Sequence, residues 1–163
     1  MKKIWILLVL LILLTGCGAQ QTMETLGDDY LQPVAAQMQK ISLKLPEDAA
    51  VMTLENPQTG KLYLCDGYTV SVQTLDAGDL DKTIKTISGY SAESLQILQT
   101  NAGQINRYEC VWVSAGEADD QVCRACILDD GNYHYAVTVM ADSQDAGKLS
   151  QSLQTILSSV QLN

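Results

Sequence analysis

The chain has 163 residues, with 10 Lys and Arg against 19 Asp and Glu, a formal net charge of −9 at pH 7. A surface this acidic repels nucleic acid and anionic headgroups and offers neither a basic patch, so no nucleic-acid partner is expected. The length suits a single core of modest size and is too short for a two-lobed solute-binding protein.

Met1-Lys2-Lys3 is a positive leader, and Ile4 to Leu14 is an unbroken apolar run of 11 residues, the length of a signal-peptide hydrophobic region. As a helix it would reach only about 16 Å, roughly half the hydrocarbon core of a bilayer. The next residues, Leu14-Thr15-Gly16-Cys17, resemble the lipobox of bacterial lipoproteins. The resemblance implies that residues 1–16 are a signal peptide and that Cys17 becomes the lipidated N-terminus. Two or three acyl chains there would hold the protein stably at the extracytoplasmic side of the cell membrane, where one would not. Removing residues 1–16 takes Lys2 and Lys3 with it, leaving eight basic and 19 acidic residues.

Residues 17–40 read as a polar tether. Met23, Leu26, Tyr30, Val34 and Met38 have helix-like spacing of low density, broken by Pro33.

Residues 41–163 read as one domain. Ile41 to Leu45 alternates apolar and polar up to Pro46, a first strand. Asn56 to Gly60 is a turn cluster, and Asp66-Gly67 sits between two strand-like runs, Lys61 to Leu64 and Tyr68 to Leu75, as a tight hairpin. Asp79 is placed to cap a short helix carrying Leu80, Ile84 and Ile87, ended by Gly89. Leu95, Ile97 and Gln99 alternate again, and Asn101-Ala102-Gly103 turns the chain into a three-strand meander: Asn106 to Ser114, Gln121 to Asp129 and Asn132 to Met140.

With Ser114 set opposite Val122, one face of the meander collects Cys110, Trp112, Arg124 and Cys126, and the other Val111, Val113, Cys123 and Ala125. Both are apolar, so helices are expected over both. Leu149, Leu153, Ile156, Leu157 and Val160 form the stripe of a terminal helix that supplies one cover, with Asp142 or Ser143 as its cap.

Hairpin, short helix, further antiparallel strands and long terminal helix, together with Leu43-Lys44-Leu45-Pro46, Gly67 to Val72 and Asp129 to Tyr135, resemble the PsbP-like fold, also used by DcrB-type bacterial lipoproteins. The resemblance implies an α+β domain, an antiparallel sheet between helices. Such proteins serve mainly as assembly or accessory factors, and the likeness carries over no functional residue.

Four cysteines remain after Cys17. Cys123-Arg124-Ala125-Cys126 has the spacing of redox and zinc motifs, but within a strand its two thiols point to opposite faces, roughly 10 Å apart. The assumed register instead puts Cys110 opposite Cys126 as a candidate disulfide, leaving Cys65 and Cys123 to pair or stay buried and free. His134, the only histidine, could use Asp129, Asp130 or Cys123 as a partner, and Cys123 with His134 is the weak candidate for a metal. Trp112 beside Arg124 suggests a cation–π contact. Glu117, Asp119 and Asp120 read as a solvated loop before a cation site. No serine sits in a nucleophile elbow.

The expected function is a membrane-anchored accessory or binding module without catalysis or cofactor, acting on another envelope protein or a small ligand. The alternative is a thiol redox or metal-handling lipoprotein.

Overall fold

The alternating runs pair into a seven-stranded antiparallel sheet in the order β2-β3-β4-β8-β7-β6-β5. Its strands are β2 (Ala50–Met52), β3 (Gly60–Cys65), β4 (Tyr68–Asp76), β5 (Ile97–Ala102), β6 (Ile105–Ser114), β7 (Gln121–Asp129) and β8 (Tyr133–Asp142). Two helices, α1 (Leu80–Ser88) and α2 (Ala146–Ser158), lie on opposite faces. The computed structural model describes residues 37–52, 60–115 and 119–163. Cys17, the lipobox and nearly all of the tether therefore lie outside the described residues, as do most of the Asn56 to Gly60 turn and Glu117.

The local signals act as their chemistry demands. Tyr68 pairs with Cys65 across the two-residue Asp66-Gly67 turn. The Asp79 side chain accepts from the Asp81 amide at 2.9 Å, and Gly89 ends α1 at φ 80°, a left-handed conformation that a side chain would strain. Helix α2 differs from expectation at its start. Asp145 is the capping residue but makes no side-chain bond there, while the Asp145 amide bonds the Asp142 carbonyl and the Ser143 amide reaches Asp120.

The first strand is shorter than its pattern. β1 is only Ile41–Ser42 and leaves the main sheet to pair with β9 (Gln161–Leu162). Lys40 and Asn163 exchange two backbone hydrogen bonds, and the Lys44 amide donates to the Ser159 hydroxyl. These ties hold both ends of the described unit, Ala36–Asn163, against the end of α2. Every buried cluster among the described residues is built within that unit, so it carries its own core.

The meander register differs by one residue from expectation: Ser114 lies opposite Gln121 and Cys110 opposite Ala125. A one-residue slip exchanges the faces of β6 relative to β7. The α1 face then sets bulky Trp112 and Cys110 across from Cys123 and Ala125, under Ile87 and Leu95. The α2 face carries Val70, Cys126, Leu128, Tyr135 and Val137 against Leu153, Ile156 and Leu157.

Cover on the α2 face is incomplete. Helix α2 packs against β8 and β7. A helix about 10 Å wide spans roughly two strands at a spacing of about 4.8 Å. The outer strands β6 and β5 therefore keep Leu98, Val111 and Val113 at 62%, 54% and 50% exposure, where the sequence predicts covered valines.

Candidate functional site: a groove beside the terminal helix

The uncovered strip and the flank of α2 enclose a groove with a volume of about 640 Å³. Leu98 and Val111 supply one wall, Gln154 and Leu157 the other, and Glu109 and Arg124 line it between them. Strand alternation puts Arg124 here, because Val111 on β6 and Val139 on β8 flank it across the sheet. Its Nη2 donates to the Ser150 hydroxyl at 3.4 Å, while Nε is buried with no hydrogen-bond partner among the described residues.

Arg107 lies on the same face and is fully used. Its Nε meets Glu109 at 2.7 Å, Nη2 donates to the Leu157 carbonyl at 2.8 Å and Nη1 to the Val160 carbonyl at 3.3 Å. It thereby caps the C-terminal end of α2, whose last carbonyls have no partner within the helix. Arg107 and Glu109 neutralise each other, so the guanidinium of Arg124 leaves the groove positive in an acidic chain.

The register removes two expected contacts. Cys110 faces α1 and Cys126 faces α2, so the candidate disulfide does not form, and Cys65, Cys110, Cys123 and Cys126 are all free thiols. Trp112 is likewise on the α1 face while Arg124 is on the α2 face, and the cation–π contact is absent. The Cys123 to Cys126 run is strand, with Cys123 in the α1-side core and Cys126 in the α2-side core. Burial pushes the Cys110 thiol up to about 11 and Cys126 up to about 12, the latter against the pull of Arg107. Burial also raises Cys123, and raises Cys65 more than its bond to Tyr68 lowers it.

These shifts fix a sign. A thiol whose folded value exceeds the free value of 9.0 keeps its proton when the unfolded chain has lost it, so it stabilises fully below pH 9. That contribution declines as pH rises through about 11 to 12. An aromatic disulfide reagent at pH 7.5 is expected to leave Cys110, Cys123 and Cys126 unmodified in the folded chain and to titrate all three in denaturant. Alkaline unfolding should begin above pH 9, and rapid labelling of the folded protein would contradict this account.

His134 and Cys123 share the α1 face but do not converge. Cys123 pairs with Met140, six residues along β8 from His134, roughly 20 Å at strand rise. Among the described residues no three His, Cys, Asp or Glu side chains could hold a metal. His134 is 2% exposed, with Nδ1 2.7 Å from the Thr83 hydroxyl and Nε2 3.8 Å from Asp129. Thr83 is itself only 3% exposed, and this Thr, His, Asp line ties α1 to the sheet.

Asp129 and Asp130 shape the β7–β8 turn, as expected of aspartate. Asp129 accepts the Gly131 amide, and Asp130 accepts the Asn132 and Tyr133 amides. Burial raises the Asp130 carboxyl, but those amides, the Tyr135 hydroxyl and Gln39 together hold it below its ordinary value.

The sequence reading missed the groove, Arg107 and the short strands β2 and β9. Arg107 carried a weak signal, a charged residue in an apolar strand two positions before Glu109.

Neither the protein-family models nor the curated proteins include a match to this chain. Among solved structures, cyanobacterial PsbP (CyanoP) from Synechocystis sp. PCC 6803 is similar, with a TM-score of 0.54 and 8% identity over 81% of this chain and 98% of that one. A chain from Bacteroides thetaiotaomicron VPI-5482 has a TM-score of 0.51 and 10% identity. It matches over 76% of this chain, which spans 45% of the Bacteroides chain's length. The domain therefore has a PsbP-like fold, an antiparallel sheet between two helices. Similarity at this identity defines architecture and leaves function to the site.

Proposed function

We propose that the chain is a lipid-anchored lipoprotein of the extracytoplasmic membrane face whose domain works by binding, without catalysis. The observation that supports this best is the groove, where Leu98 and Val111 stay exposed beside a guanidinium that has no carboxylate partner among the described residues. Soluble domains seldom leave adjoining apolar side chains open unless something covers them. Buried, dispersed thiols of high pKa favour this reading over thiol redox or metal chemistry. The Leu14 to Cys17 lipobox after its apolar run supplies the anchor.

The test is fractionation of the producing bacterium with wild type and Cys17→Ala. Wild type should sediment with membranes, incorporate labelled palmitate and be released by external protease. The variant should take up no label, and equal labelling of both chains would refute lipidation at Cys17.

A further inference from the structure

The groove beside α2 has the chemistry of a site for a small apolar carboxylate, a single-chain acyl acid. This rests on the reading of the domain as a binding module and names the class of its ligand.

Three observations converge. First, the walls carry hydrocarbon: Leu98, Val111 and Leu157 line the groove between the polar Ser94, Gln96 and Gln154, and Leu98 and Val111 are more exposed than apolar side chains of a finished core. Such walls favour an apolar body in proportion to the area they bury. Second, the guanidinium between them lacks a counter-charge. No ion pair of Arg124 occurs among the described residues, its Nη2 contact to Ser150 is long at 3.4 Å, and its buried Nε donates to nothing. A carboxylate is the group whose charge and two oxygens suit a guanidinium that has no ion pair.

Third, the only acidic side chain lining the groove among the described residues, Glu109, is held by Arg107 at 2.7 Å. It therefore neither neutralises Arg124 nor meets an incoming anion as a free charge. Arg107 is consumed by Glu109 and the α2 carbonyls, so Arg124 is the one guanidinium left to select charge. We infer that the groove binds an acyl carboxylate with its chain along Leu98, Val111 and Leu157 and its head at Arg124.

The test is calorimetric titration of the Ala36–Asn163 unit, whose core is self-contained, with decanoate, decanol and decylammonium below their micellar concentrations. Decanoate is expected to bind one-to-one, with decanol and decylammonium about 10-fold weaker or more, the selectivity of a charge-assisted bond. Arg124→Gln should remove that preference, weakening decanoate by about 10-fold while leaving decanol unchanged. Leu98→Glu is solvent-exposed and leaves the fold intact, so it covers the case in which Arg124→Gln fails to fold. It should weaken decanoate more than decanol.

No decanoate binding at about 1 mM, or equal binding of decanoate and decanol by wild type, would overturn the assignment. Unchanged decanoate affinity in a folded Arg124→Gln, or in Leu98→Glu, would do the same. Equal binding of both amphiphiles, lost in Leu98→Glu, would leave the groove a binding site without charge selection, so the binding-module reading would survive. The anchor is tested separately through Cys17.

Discussion

Leu153→Ala is expected to destabilise the domain by about 3 to 4 kcal/mol, a large share of the roughly 5 to 15 kcal/mol that holds such domains folded. Leu153 is the fully buried residue of the α2 stripe and packs into the cluster of Val70, Cys126, Tyr135 and Val137. That cluster is fixed by strand pairing on one side and by α2 on the other, so it has little freedom to collapse into the space left by three carbons. The loss should appear as a lower urea midpoint with an unchanged slope, and as a melting temperature about 10 °C lower. A loss under about 1 kcal/mol would mean that α2 is not seated on this face.

Arg107→Ala is expected to cost about 2 to 4 kcal/mol, because one side chain serves three acceptors. Its removal leaves the Leu157 and Val160 carbonyls and the Glu109 carboxylate without their donor. Arg107 and Glu109 are 17% and 31% exposed, so water replaces these bonds only in part, which places the effect above that of a surface ion pair. Arg107→Lys should recover less than half, since a single ammonium on a shorter reach cannot span a carboxylate and two carbonyls of a helix end. Full rescue by lysine would reduce Arg107 to a simple charge partner of Glu109. The same substitution probes the groove, because freeing Glu109 places an unpaired anion beside Arg124.

Local chemistry made much of this fold legible. Asp66-Gly67, Asp79 with Gly89, the turn at Asp130 and the Leu149 to Leu157 stripe each bias a few neighbouring backbone angles, and all appear where their residues predict. The meander register was not legible for a physical reason. Where one face of a strand is polar, a slip by one residue buries the wrong side chains and the pattern itself forbids it. Here Cys110 and Trp112 alternate with Val111 and Val113, so both registers bury apolar groups. The choice falls to the fit of Trp112 and Cys110 against Cys123 and Ala125 across the sheet.

That single residue decides the candidate site. In the expected register Cys110 meets Cys126 and Arg124 lies beside Trp112, which suggests a staple and a cation–π contact. In the structure the thiols part, Trp112 turns to α1, and Arg124 is left with Val111 in the groove. The exposed strip could not be foreseen either, because it depends on the strand order β8-β7-β6-β5 and on one helix having to cover all of it. Two- and three-residue pieces such as β1, β2 and β9 carry no periodicity of their own; they are strands because α2 and β3 place partners beside them.

The most direct test of the central claim is the intact mass of the protein extracted from the membranes of its own cells. An anchored lipoprotein predicts a chain that begins at Cys17, lacks residues 1–16 and carries a diacylglyceryl group lost on thioether cleavage at that residue, with any amide-linked acyl chain retained. The unprocessed mass of 17.7 kDa, or a cleaved chain with an unmodified Cys17, would contradict it.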